Sequence, residues 1–502
     1  MRLAGLALPA AAVMLPLSGA ALAQGAGGLT AGGLTISPAL TISESYTDNT
    51  DYRASGKRWE AVTTVSPGVR ISSRTARLQG SLDYSLNAQV YAQDESRSGF
   101  NQTMAAAFTA DVIQQTAAVD IRANISQQSL SAFGVQSAGT LFPERNRTEV
   151  RSIGISPVLR GRLGDSVNVE ARSNWVKTAT TASTAPDSTV LVNSLLLSGR
   201  TGTIGWSADV ADTRIDYDQT GREAGNRRLN LGLSYSPNPD WQFSARAGRE
   251  SDTVRSIDSQ STDTWGVGVR WVPSPRTSIN AQYDRRYFGN GHSIQASHRM
   301  VRGVVTYTDS RDVNNGAVSE RTLEYVRTYD SYFRILASAF PSAPPAEVDA
   351  LVRELLRAQG VFIGRAVSLQ RRQDFSYALQ GVRATVVLTA FRSTTSRLDQ
   401  ATSAGDDLTL ADGLRQHGYS LSGNYTISPT SNVSLSYSSS SNSANNVLLT
   451  GLQNSLKSLT ASFSGRLATR VAYSLSARHT IFDSATTPYT ENGGQVTLSV
   501  TF

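Results

Sequence analysis

Along most of the chain, apolar residues recur at every second position. Leu82, Tyr84, Leu86, Ala88 and Val90 alternate with Asp83, Ser85, Asn87 and Gln89, and Leu229, Leu231, Leu233 and Tyr235 alternate with Asn230, Gly232 and Ser234. The same pattern returns at Trp241, Phe243 and Ala245, at Val433, Leu435 and Tyr437, and at Val471, Tyr473, Leu475 and Ala477. Period two is the signature of a β-strand with two unlike faces. Runs of roughly 10 residues have the length of a tilted strand crossing a bilayer, with the apolar set toward lipid and the polar set toward a wet lumen. The chain ends on such a run, in which Val496, Leu498, Val500 and Phe502 share one face. An edge strand of a soluble β-sandwich would alternate in the same way, so one strand does not decide the class.

The connections favour the membrane. Short turns are expected at 72–75, 163–165, 236–240, 272–276, 300–303, 381–383 and 428–431, and long polar loops at 47–57, 94–101, 128–146, 180–188, 251–261, 397–413 and 483–494. Short and long alternate, as periplasmic turns and extracellular loops do in an outer-membrane barrel. The prediction is an all-β fold, a transmembrane antiparallel β-barrel of roughly 22 strands, with about 18 as the lower count, and one helical insertion. An even number places both ends of the barrel on the periplasmic side.

Met1-Arg2, the apolar run 3–17 and Ala21-Leu22-Ala23 read as a cleaved signal peptide over 1–23. Residues 24–33 are expected to be a flexible N-terminus and 34–502 the barrel, with no plug domain before it. No later stretch approaches about 18 consecutive apolar residues, so a helical inner-membrane protein is excluded. The helical insertion is assigned to 313–360. There Val348, Leu351, Val352, Leu355 and Leu356 fall at helical spacing between Pro344-Pro345 and Gly360, and Val326, Tyr329, Phe333, Leu336 and Phe340 suggest a second helix. It would either plug the lumen or cap the surface.

Composition sharpens this picture. Only 17% of residues are charged, against a usual figure of about 25%. Ser, Thr, Asn, Gln and Gly take their place, as suits strands with one polar uncharged face. Cysteine is absent, which removes disulfides, thiolate metal sites and cysteine nucleophiles. The net charge of +7 comes from dispersed arginine, with Lys57, Lys177 and Lys457 the only lysines; without clustering it does not suggest nucleic acid. The arginines are read as lumen, rim and lipopolysaccharide-facing charges. The six Trp and 18 Tyr suit girdles at the two interfaces.

Candidate lumen charges are Asp120, Arg122, Glu170, Arg172, Arg246, Arg270, Asp284 and Arg478, which would form a structural ladder or guide a substrate. Val496, Leu498, Val500 and Phe502 are a candidate signal for the outer-membrane assembly machinery. Of the four histidines, His292, His417 and His479 are expected near the extracellular rim and His298 away from it. Asp406, Asp407 and Asp412 lie near His417 in sequence, but nothing fixes a catalytic geometry. No metal-ligand spacing or phosphate-cradling loop appears, and no enzyme activity, cofactor or metal is expected.

Ser45-Tyr-Thr-Asp-Asn49, Val65-Ser-Pro-Gly-Val69, Ser297-His-Arg299, Thr306-Tyr-Thr-Asp-Ser-Arg311 and the insertion after them resemble the outer-membrane family associated with the PEP-CTERM/exosortase system. The resemblance implies a barrel encoded beside exopolysaccharide production and protein sorting, with no catalytic residues to carry over. The expected function is a non-enzymatic outer-membrane protein that moves or anchors extracellular polysaccharide. A general diffusion porin and a sealed structural anchor are the alternatives.

Overall fold

The fold is described from a computed structural model, for residues 29–138, 146–181, 187–218, 222–256, 258–314, 367–398, 407–411, 413–445 and 452–502. A three-residue strand, β1 (Leu29–Ala31), precedes 22 long ones. These are β2 (Leu34–Thr47), β3 (Glu60–Arg74), β4 (Leu78–Tyr91), β5 (Gly99–Ile113), β6 (Ala117–Ser129), β7 (Arg147–Leu163), β8 (Val167–Thr180), β9 (Ser188–Thr201), β10 (Ile204–Tyr217) and β11 (Arg222–Asn238). There follow β12 (Trp241–Asp252), β13 (Gln260–Ser274), β14 (Thr277–Arg286), β15 (Gly289–Arg299), β16 (Gly303–Asn314), β17 (Ser368–Gln380), β18 (Ala384–Arg397), β19 (Leu414–Ser428), β20 (Ser431–Ala444), β21 (Gln453–Ala468), β22 (Val471–Ser484) and β23 (Tyr489–Thr501).

Each long strand pairs antiparallel with its neighbour in sequence, and β23 pairs with β2 from Ala39↔Thr501 to Thr47↔Gly493. The sheet therefore closes and has no free edge. At about 4.8 Å between strands and a tilt near 40°, 22 strands enclose a cylinder roughly 40 Å across between backbones. Alternation and register then fix the two faces. Leu229, Leu231, Leu233 and Tyr235 of β11 are among the most exposed large apolar residues, as are Val496, Leu498 and Phe502 at the end of the chain. They belong to an outer apolar band, and the residues between them face inward.

One rim carries turns of two or three residues and the other almost all the long loops, so the second is the extracellular rim. On the outer face just below it the apolar band gives way to a polar collar that includes Arg151, Lys177, Asp212, Arg227, Arg249, Asp309, Arg392 and Lys457. Register sorts the aromatic residues as well. Trp206, Tyr235, Trp241 and Trp271 cluster at the periplasmic edge on β10 to β13, with Trp241 stacked on Trp271 at 5.2 Å. Tyr46, Trp59, Trp175 and Trp265 lie toward the extracellular one, and Tyr46 stacks on Trp59.

Several boundaries differ from the sequence reading. Residues 29–31 form a hairpin with β2 through Gly32 and Gly33, both at positive φ, where the lack of a Cβ removes the strain. Further short turns, which the sequence reading did not single out, lie at 114–116, 202–203 and 469–470. The long loop expected at 483–494 is only 485–488, because Tyr489 to Asn492 continue β23 and pair with β22 above the membrane band. On the extracellular side, β14 and β15 are joined by two residues alone, Tyr287 and Phe288. Val313 and Asn314, placed in the insert, complete β16; 315–366, like 1–28, lie outside the described residues.

Candidate functional site: the lumen and its extracellular mouth

All eight candidate lumen charges occupy inward positions, since each alternates with members of the exposed band. Six of them form ion pairs. Asp120 of β6 meets Arg172 of β8 at 3.1 Å, and Arg172 also lies 3.7 Å from Glu170. Arg246 of β12 reaches over β13 to Asp284 of β14, with Nε donating at 2.8 Å. Arg478 of β22 donates to the buried Glu491 of β23 at 3.1 Å, and Thr47 of β2 donates to the same carboxylate oxygen at 2.8 Å. Arg122 and Arg270 have no carboxylate partner among the described residues.

Further inward pairs continue the ladder: Arg70–Asp83 at 3.5 Å, Arg160–Glu170 at 3.1 Å, Arg228–Asp209 at 3.4 Å and Arg286–Glu250 at 2.7 Å. Pairs that link next-but-one strands need a small residue between them. Gly266 supplies it for Arg246 and Asp284, because a Cβ there would fall 2.0 Å from Asp284 Oδ1. Compensated charges bonded along the wall serve first to hold adjacent strands in register.

Two strands of the wall are different. Inward positions of β19 and β20 carry Gln416, Ser420, Ser422, Asn424, Asn432, Ser434, Ser436, Ser438, Ser440 and Asn442, with no ionisable residue. Their hydroxyls bond across strands, as in Thr389–Ser420 at 2.7 Å and Ser434–Ser462 at 2.5 Å. This neutral, hydroxyl-rich strip lies between charged strands, with the inward pair Arg372–Asp374 of β17 at 2.8 Å on one side and Arg478–Glu491 of β22 and β23 at 3.1 Å on the other.

Between β6 and β7 the chain does not simply turn. Residues 130–138 reach in from the rim and attach to the far wall: Asn442 of β20 and Asn454 of β21 both donate to Ala132 O, at 3.0 and 2.9 Å. Asp407, at the start of a short helix Asp407–Ala411, accepts from Ser131 Oγ at 2.7 Å and Ala132 N at 2.6 Å. Tyr489 donates to Gln136 O, and Tyr52 to Ser137 Oγ at 3.4 Å. Small apolar clusters sit behind these bonds: Ala132, Leu408 and Leu414 with Phe133, and Tyr52, Phe482 and Tyr489 with Val135. A third packs Val190, Ile215, Tyr217, Val254, Tyr287 and Phe288 on the inner side of the same rim. The mouth is narrowed by an infolded, fixed segment.

Loop 48–59 is tied down beside it. Arg58 donates to Asp51 through two nitrogens at 2.7 and 2.9 Å, and this guanidinium holds the Asp51 carboxyl below the usual carboxylate range. Burial raises the pKa of the Tyr52 phenol, which stays neutral.

The histidines fall at the heights expected for them, but the carboxylate contact forms elsewhere. Asp407 is engaged by Ser131 and Ala132, while Asp406 and Asp412 lie outside the described residues. Among the described residues the His–Asp pair is His292 with Asp309, 3.0 Å apart, on the outer face of β15 and β16. Asp309 also receives Arg371 at 2.9 Å and Gln373 at 3.0 Å. No nucleophile accompanies this pair in its contacts, and no group of three metal-ligating side chains occurs among the described residues. Sequence reasoning missed the crossing by 130–138, because Ser131 and Asp407 are 276 positions apart. The only local hint is Ala132-Phe-Gly-Val135, an apolar patch within a polar loop.

Residues 23–193, about a third of the chain, match the family described as "Putative beta-barrel porin 2". No curated protein matches the sequence significantly. Among solved structures, the chain is similar to the FrpB iron transporter from Neisseria meningitidis, at 9% identity over 93% of this chain and 82% of that one, with a TM-score of 0.49. The ferric-catecholate import receptor Fiu from E. coli K12, in its closed form, gives 10% identity over 92% and 81%, with a TM-score of 0.47. OccK2 (OpdF) from Pseudomonas aeruginosa gives 10% over 93% and 98%, with a TM-score of 0.34.

Proposed function

We propose that this outer-membrane β-barrel is a non-enzymatic conduit or docking site for extracellular polysaccharide, working beside the PEP-CTERM/exosortase system. The observation that carries the reading is the neutral, hydroxyl-rich inner wall of β19 and β20. Serine hydroxyls and Asn or Gln amides exchange hydrogen bonds with sugar hydroxyls at little net cost. A conduit needs contacts that are numerous and individually weak, so that a polymer can enter and still leave. Elsewhere on the wall the carboxylates and guanidinium groups largely neutralise one another, which disfavours tight capture of an ionic ligand. The sorting-system association rests on the motifs around Tyr46, Pro67, His298 and Asp309.

A general diffusion porin is the second reading, favoured by the family match over residues 23–193. Single-channel conductance of the refolded protein in a planar bilayer, beside a variant with residues 320–360 replaced by a short linker, separates the readings. Small or absent current that rises when the segment is removed, with current blocked by neutral oligosaccharide, supports the polysaccharide conduit. Large, oligosaccharide-insensitive current in the intact protein supports the porin. Silence in both folded proteins defeats passage and leaves a sealed anchor.

A further inference from the structure

The outer collar is not uniform. Over much of its circumference each outward cation has a carboxylate beside it: Arg151 with Glu149 at 2.7 Å, Lys177 with Asp218 at 3.8 Å, Lys457 with Asp483 at 3.6 Å. Arg214 and Arg227 both meet Asp212, at 3.1 and 2.9 Å. The sector from β16 to β19 breaks this rule. Arg311 pairs directly with Arg371 in the strand register, Arg371 with Thr394, and Thr394 with Arg415; Gln373 pairs with Arg392, and Arg392 with His417. Arg311, Arg371, Arg392 and Arg415 thus occupy adjacent outward positions on four successive strands, with diagonal neighbours roughly 7–8 Å apart.

Among the described residues the carboxylate in this row is Asp309, and it is bonded to Arg371, His292 and Gln373. Arg392 and Arg415 are exposed and have no ion pair among the described residues. Like charges in register are unfavourable in isolation. An anion from outside that neutralises the row would relieve this repulsion. Directly beneath lie Phe375, Tyr419 and Leu421, exposed at 36, 49 and 48% as part of the apolar band. A cationic row above an apolar wall, at the extracellular edge of the membrane, has the polarity of a lipid whose phosphates sit above its acyl chains.

We propose that Arg311, Arg371, Arg392 and Arg415 form a binding site for the phosphorylated glycolipid of the outer leaflet, the lipid A moiety of lipopolysaccharide. The planar guanidinium groups engage the phosphates in bidentate fashion, and the acyl chains lie on Phe375, Tyr419 and Leu421. His292, Asp309 and Gln373 orient Arg371 from the side. The site is on the outside of the wall and independent of what passes through the lumen.

The test is native mass spectrometry of the full-length mature protein, delipidated in detergent and offered lipid A in bisphosphorylated or fully dephosphorylated form. The wild type is expected to retain the bisphosphorylated lipid about tenfold better, the difference that one charge-assisted hydrogen bond makes. The triple variant R371Q/R392Q/R415Q should lose that preference, and R214Q/R227Q, in the compensated sector, should keep it. Heat-modifiable mobility on gels establishes that each barrel is folded; should the triple variant not fold, R392Q and R415Q singly are expected to weaken retention about threefold. Equal retention of both lipids, undiminished binding by the folded variants, or displacement of the lipid by millimolar inorganic phosphate would each overturn the proposal.

Discussion

Arg246 and Asp284 join hands over a strand to which neither belongs: the guanidinium Nε of β12 donates to the carboxylate of β14 at 2.8 Å across Gly266 of β13. The bridge exists because the intervening residue has no side chain. Gly266→Ala would place a methyl 2.0 Å from Asp284 Oδ1 and 2.9 Å from Arg246 Nε, so the pair must part or the strand must shift. Overpacking of this kind costs about 1–3 kcal/mol. A lower urea midpoint for G266A is expected, and G266A combined with Asp284→Ala should recover part of it. A midpoint equal to the wild type's would show that the bridge adds nothing.

The segment 130–138 is held over the mouth by two amides that converge on Ala132 O. Replacing both, as N442A/N454A, removes two donors from one carbonyl and is expected to loosen the segment. Larger and noisier single-channel current would follow if the segment limits passage. Current unchanged in size and noise would place the constriction elsewhere.

Loop 48–59 has a defined acid limit. Because Arg58 lowers the folded-state pKa of Asp51, the pair stabilises the loop fully above the carboxyl's ordinary value of 3.8, and the contribution is lost as pH falls through the depressed value. Hydrogen exchange at residues 49–53 should stay slow down to about pH 4 and accelerate only below it. In Asp51→Asn the same amides should exchange faster than in the wild type above about pH 4 and converge with it at lower pH. A wild-type transition near pH 6 would mean that another group controls the loop.

Phe502 lies half exposed at the end of the outer band, and its amide donates to Pro38 O at 2.9 Å across the seam. Removing it sacrifices one closing bond and little packing. We therefore expect a Phe502 deletion to refold in detergent nearly as well as the wild type but to assemble several-fold less efficiently in cells. Equal losses in both settings would make the residue structural and not a recognition signal.

The barrel was legible in the sequence because each of its rules is local. Alternation such as Leu229 to Tyr235 is visible within seven residues, and turns such as 381–383 announce themselves by composition. Strand ends above the membrane were harder to read. Tyr489-Thr-Glu-Asn492 looks like loop because the polar residues that leave the lipid band remain in strand, and only their partners on β22 reveal it. The site was legible in part. Alternation placed Arg246 and Asp284 inward, but not in contact, since the bridge depends on a third strand. The crossing of Ala132 to Asn442 and Asn454, and the adjacency of Arg371, Arg392 and Arg415, depend on register and on sequence-distant neighbours that no local pattern encodes.

Closure of the wall has a kinetic consequence. Thr41 and Ser499 hydrogen-bond at 3.0 Å across the seam although 458 positions separate them. Every other pairing of long strands joins neighbours in the chain, whereas this one joins the first long strand to the last. Until it forms, both margins of the sheet present unsatisfied backbone groups, the condition that invites pairing with another molecule. Contacts so distant along the chain also form slowly, because the entropy of joining them is lost before they repay it. A chain that lacks β23 would therefore keep two unsealed margins, each open to pairing with another molecule.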